Sequence, residues 1–177
     1  MTLRLTIVLL AYSSSVFGQQ VNLDTLIIRT AIAEFDGQPI TYLNHSGNWG
    51  NLESQLDTLE FYNDLKSHSL VLTETEREML LKQARKQSLY PWPDELLKGS
   101  RKIEVDSIWT YLKSAKPKRG RAWVFGFSKP IFFRQNTFCL FAYMARCGED
   151  CGHAETAFYK KEGDTWEQWI IISAGAW

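Results

Sequence analysis

The feature that most constrains this chain is a change of hydrophobic period near residue 100 of its 177 residues. Before that point apolar residues recur every three or four positions, as on one face of a helix. After it they recur every second position, as on a strand. Segment 23–35 carries Leu23, Leu26, Ile27, Ala31 and Ile32 on one stripe, with Gly37 just beyond, which predicts a helix and its stop. Segment 40–51 is punctuated by Asn44, Gly47, Asn48 and Gly50 and reads as loop. Segment 52–65, with Leu52, Leu56, Leu59 and either Tyr62 or Asn63, reads as a second helix. Segment 73–87 is the strongest. Thr73 and Glu76 form a capping box, Met79, Leu80, Leu81 and Ala84 supply a face, and Glu78 is spaced to pair with Lys82. Pro91 and Pro93 stop any continuation.

Beyond residue 100, Ile103, Val105, Trp109 and Tyr111 alternate with Glu104, Asp106 and Thr110, and Trp123, Phe125 and Phe127 alternate again. Segments 131–134 and 137–146 flank the turn signal Gln135-Asn136, and 153–160 and 166–173 flank Glu162-Gly163-Asp164. Segment 138–145 is apolar on both faces, the pattern of a central strand covered on both sides. The expected fold is therefore α+β. N-terminal helices, in a mainly helical 19–100, pack on a C-terminal antiparallel meander of about four to five strands, in a mainly β 101–177. No internal repeat or low-complexity tract interrupts it.

The N-terminus has the build of a secretory signal. Arg4 gives a positive charge, residues 5–11 a short apolar run, and Val16 and Gly18 small residues before a cut. The apolar run is well below the roughly 20 residues that span a bilayer. Residues 1–18 are thus read as a signal peptide and 19–177 as one soluble domain with no transmembrane segment. Losing Arg4 leaves 19 basic against 20 acidic residues. That balance offers nucleic acid or an anionic membrane no general attraction. Aromatic residues make up 14% of the chain, a content first read as core and sheet packing.

Residues 121–177 carry a recognisable series: an aromatic before Phe127-Ser128-Lys129-Pro130-Ile131-Phe132, a central strand into Cys147-Gly148-x-x-Cys151-Gly152, a strand ending near Lys160-Lys161-Glu162-Gly163, then Trp166. The series resembles a group of uncharacterised exported bacterial proteins without an assigned activity. They share a Phe-Ser-Lys/Arg-Pro-x-Phe strand, a Gly-rich turn and a Gly-x-Trp strand. Here Gly163-Asp164-Thr165-Trp166 has one residue more than that short turn. The resemblance implies an exported, periplasmic or secreted β-meander and no particular chemistry.

Chemistry is sparse. In an exported chain, Cys147 and Cys151 are best read as a disulfide across a turn, with Gly148 and Gly152 allowing the curvature. A metal site from Cys147, Cys151 and His153 needs a fourth ligand such as Glu155, His45 or His68, and the spacing matches no zinc ribbon. A redox pair would want a Cys-x-x-Cys at a helix N-terminus. Cys139, among Phe138, Leu140 and Phe141, reads as a buried inert thiol. Gly126-Phe127-Ser128-Lys129-Pro130 lacks the second glycine and following helix of a nucleophile elbow. Ser128 is better placed to bond backbone where Pro130 interrupts the ladder. The basic run Lys113, Lys116, Lys118, Arg119 and Arg121 is a candidate patch for an anionic glycan or an acidic partner. A solvated connection held out by Pro117 and Gly120 is the favoured reading of it. The expected role is non-enzymatic: an envelope domain that binds a protein or glycan partner, or serves structurally, without a cofactor. The alternatives are a hydrolase assembled from His45, His153, Glu149 and Asp150, or a metal-binding domain at the Cys147 turn.

Overall fold

The computed structural model describes residues 23–35, 40–47, 51–94, 96–115 and 121–177. The leader 1–18, Trp49, and Lys116, Lys118 and Arg119 of the basic run lie outside them. Helix α1, residues 23–31, runs into a 3₁₀ turn at Ala33–Phe35. Then come β1 (Thr41–Leu43), the short α2 (Leu52–Gln55), β2 (Glu60–Asn63), β3 (His68–Val71) and α3 (Glu74–Gln87). After β4 (Arg101–Ile103), a 3₁₀ turn leads into α4 (Ile108–Ser114). The chain ends in β5 (Val124–Phe127), β6 (Ile131–Phe133), β7 (Phe138–Arg146), β8 (Gly152–Glu162) and β9 (Thr165–Ala176).

The fold is α+β, but its sheet exceeds the expected meander. Seven strands run in the order β4-β1-β5-β7-β8-β9, with β6 also on β7. β5 and β6 lie end to end along the same edge of β7, against residues 143–146 and 138–140 respectively. They are one strand broken at Ser128-Lys129-Pro130. Ser128 bridges the break as its position in the sequence suggested. Its amide donates to the Ala142 carbonyl at 2.9 Å, and its Oγ accepts from the Ala142 amide at 2.8 Å. Lys129 in the same break pairs with Asp24 of α1 at 2.7 Å and lies over the Tyr90 ring.

Three expectations are corrected. Segment 40–51 is not all loop: Thr41–Leu43 is a buried strand, parallel to both β4 and β5. Segment 52–65 is helical only to Gln55, and its second half is β2, which pairs with β3 through a turn in which Ser67 has φ 54°. A run this short carries too few apolar positions to separate the two periods. Finally, Trp109 and Tyr111 are not on a strand. They belong to α4, whose Ile108, Tyr111 and Leu112 pack on Leu43, Ile103 and Val124.

The two faces of the sheet are covered differently. One face carries Phe125, Phe127, Cys139, Phe141, Tyr143, Ala145, Ala157 and Tyr159 and is capped by Ile27, Ile28, Ala31, Ile32 and Phe35 from α1 and its 3₁₀ turn. The other is covered at both ends. At the β6 end, Leu80 and Ala84 of α3, Leu52 and Leu56, and Phe61 and Leu70 of the small hairpin pack on Ile131, Leu140, Phe158 and Ile170. At the β4 end sits α4. Between these caps the described residues leave the sheet bare.

Candidate functional site

Strand alternation decides what paves the bare strip. On β7 the positions between Leu140 and the Cys147 turn are Ala142 and Met144; on β8 they are Ala154 and Thr156. Paired with them are Gly126 of β5 and Ser173 and Gly175 of β9. Small side chains leave a groove of about 460 Å³, walled by Leu43, Gly47 and Gln55. Larger residues would fill it: a Cβ on Gly126 would already stand 3.2 Å from the Met144 methyl. The volume falls within the range of small-molecule sites.

Several polar groups in this groove lack protein partners. Thr156 is only 7% exposed and lines the groove, yet its hydroxyl has no hydrogen bond among the described residues. Ser173, its register partner on β9, also lines the groove. The Gln55 Oε1 is buried and unpartnered. Buried polar atoms are satisfied in the great majority of cases, so the Gln55 Oε1 asks for a complement, and the Thr156 and Ser173 hydroxyls on the groove floor are open to one.

Two residues further along the same face, where Arg146 of β7 pairs with Gly152 of β8, aromatic side chains frame an arginine. The Arg146 guanidinium carbon lies 5.1 Å from the Trp109 ring centroid and 5.5 Å from that of Trp177. The Trp177 backbone bonds to Gly152 in both directions, and its indole lies directly on that glycine, where an added Cβ would stand 2.4 Å from the ring. Gly152 is therefore required by the indole above it. The curvature expected of Gly148 and Gly152 is not what fixes them, since neither is among the glycines at positive φ.

The opposite face holds the acid chemistry, under the end of α1. Glu155 is 8% exposed and accepts from Gln168 Nε2. His153 Nε2 lies 4.0 Å from its other oxygen, and Tyr143 donates to Glu34 at 3.4 Å. Burial, then the charge of Glu34, raises the Glu155 carboxyl to about 7. Burial and then the charge of Glu155 push the Tyr143 and Tyr159 phenols up, with Glu34 adding to the effect on Tyr143.

The residues singled out from sequence are distributed as follows. Cys147 and Cys151 lie at disulfide distance, with Cα atoms 5.2 Å apart. Arg121, the last residue of the basic run, donates to Cys151 Sγ at 3.2 Å, whereas Lys113, the first, lies on α4. His153 turns to Glu155, His68 stacks on Trp169 at 3.4 Å, and His45 bridges to Pro91. No group of three or more His, Cys, Asp or Glu among the described residues is placed to hold a metal. His45 lies past the Phe127 end of β5, whereas the Cys147 turn with Glu149 and Asp150 lies past its Val124 end. About 10 Å of strand separates the two ends, so the four hydrolase residues are not brought together. Cys139 is fully buried, and burial holds its thiol far above the ordinary range.

Sequence reading missed the groove, Arg146, Trp109 and Trp177. The available signal was small residues at alternate positions, Ala142, Ala154, Gly175 and Ser173, in strands otherwise rich in large ones. Comparison of the chain with protein families, with curated proteins and with solved structures finds no match.

Proposed function

We propose that this chain is an exported binding domain that takes a small organic ligand, largely apolar in body, in the groove between α2 and α4. The observation that carries the reading is the Gln55 Oε1, buried in the groove wall without a protein partner, over a floor of small side chains that includes the unbonded hydroxyl of Thr156. A ligand acceptor or donor there, and a donor toward Gln55 Oε1, would satisfy groups the protein leaves open. The layout favours binding over hydrolysis. Glu155, whose carboxyl titrates in the range suited to proton transfer, is among the groove-lining residues, but alternation along β8 turns its carboxyl to the opposite face from Ala154 and Thr156, toward Glu34 of the 3₁₀ turn after α1. A general acid must come within hydrogen-bond reach of its substrate, and the sheet stands between. Export is part of this proposal and rests on the composition of residues 1–18 and on the resemblance of residues 121–177 to exported proteins. Binding to a protein or glycan through the basic run has no comparable support, because Arg121 is engaged with Cys151.

The test is a fluorescence titration with the neutral probe N-phenyl-1-naphthylamine. The wild type is expected to bind it saturably at one site, and Ala154→Trp, which fills the groove, to abolish binding while the thermal melt stays cooperative. Binding that is unaltered in Ala154→Trp would place the probe elsewhere and end the groove reading.

A further inference from the structure

We infer that the groove's ligand carries an anionic group, a carboxylate or phosphate-type oxyanion, and that Arg146 is the residue that receives it. The inference rests on the groove reading and adds a specificity to it. Arg146 is the cation on the groove's own face that no carboxylate neutralises. It appears in no ion pair and no hydrogen bond among the described residues, and its Nε is buried without a partner. The acids nearest in sequence, Glu149 and Asp150, lie in the exposed turn and do not pair with it. A partly buried cation without a counter-charge is costly to keep, whereas the same group aimed at an incoming anion is a receptor.

The surroundings fix how the anion would be met. The guanidinium lies over both indoles, at 5.1 and 5.5 Å from their centroids, an arrangement in which the ring faces attract the cation. An arginine flanked by rings in this way still has N–H donors to offer, and a planar carboxylate or a phosphate accepts two of them at once. Trp109 and Trp177 are 39% and 42% exposed, so the aromatic frame of Arg146 is open to incoming ligand. Its position is also right. Arg146 lies two residues after Met144 on β7 and Gly152 two residues before Ala154 on the antiparallel β8, about 7 Å along the strands and on the same face. One small molecule can therefore set an apolar body on Ala142, Ala154 and Gly175, touch Thr156 and Ser173, and reach Arg146 with its charged end.

A matched pair of probes tests this on the full chain. 1-Anilinonaphthalene-8-sulfonate carries a sulfonate on the same ring system as N-phenyl-1-naphthylamine. Arg146→Ala is expected to weaken the sulfonate probe by about tenfold, the loss typical of one charge-assisted contact, and to leave the neutral probe within about twofold. Arg146→Lys, which keeps the charge without the fork, should recover part of the loss. Independently of any variant, inorganic phosphate at constant ionic strength should displace the sulfonate probe from the wild type and spare the neutral one. Should Arg146→Ala fail to fold, the phosphate competition decides alone. Equal losses for both probes, or no displacement by phosphate, would reduce Arg146 to a packing residue and overturn the inference while leaving the groove intact. Indifference of both probes to Ala154→Trp would instead remove the groove reading beneath it.

Discussion

At the scale of single residues, Glu155 is the clearest case of a side chain whose behaviour its neighbours dictate. Its carboxyl is buried beside Glu34, Tyr143, Tyr159, Gln168 and His153, and burial followed by the Glu34 charge lifts it from 4.5 to about 7. A carboxyl whose folded pKa exceeds its unfolded value holds its proton more tightly in the native state. Its contribution is therefore fully present below the unfolded pKa and is lost as pH rises through about 7. We expect urea-unfolding free energy to fall across this window by on the order of 2 kcal/mol, and to do so far less in Glu155→Gln. An identical slope in the variant would show that another group carries the dependence. Sequence placed Glu155 only among spare metal ligands, because the carboxylate that perturbs it is 121 residues away in the chain. Thr73 and Glu76 show the opposite: their reciprocal capping bonds are present as their spacing predicts, since such a box is contained in four residues.

At the scale of elements, α3 does more than cover the sheet. Its capping residue Glu76 also takes two hydrogen bonds from Arg134, at 2.7 and 2.8 Å. Arg134 opens the β6–β7 turn, where Arg134, Gln135 and Asn136 all have positive φ, between 48° and 62°. Such a run is unfavourable for L-residues, and Arg134 is held in it by Glu76 and the Val71 carbonyl. Glu76 is drawn down to about 2, chiefly by its bonds to Arg134. Its contribution is present above the unfolded value of 4.5 and is lost as pH falls toward 2. Glu76→Ala should therefore cost about 2 kcal/mol at neutral pH, the sum expected for a cap and a charge-assisted pair. The cost should shrink in acid. An equal deficit at pH 7 and pH 3 would assign it to lost packing alone. The turn was legible from Gln135-Asn136 and the helix from its capping box, while the contact between them was not. Likewise β2 and α4 were misassigned, because their apolar residues answer to α3 and β1 rather than to their own neighbours.

At the scale of the whole molecule, the sheet places its thiols in distinct environments. Cys139 is fully buried near the start of β7, while Cys147 and Cys151 face each other, half-buried, in a turn. A closed loop of this size stabilises by about 2 kcal/mol on the chain-entropy model. Oxidised protein should show no thiol reactive to Ellman's reagent when native, one when unfolded, and all three of its cysteines after reduction. Two further reactive thiols in the unfolded, unreduced protein would mean that the turn stays open. The sequence by itself determined what is local: the long capped helix, the long β-strands and their turns, the cysteine pair in a turn, and an α+β composition. Periods of two and of three to four residues, capping boxes and turn residues act within about ten positions. Tertiary structure alone decided the parallel insertion of β1 between β4 and β5, the bare strip between the α2–α3 and α4 caps, and the meeting of Trp109, Arg146 and Trp177. Each of these depends on pairings between residues tens of positions apart. Whether a small residue is filler or the floor of a groove depends on what the rest of the chain leaves uncovered above it.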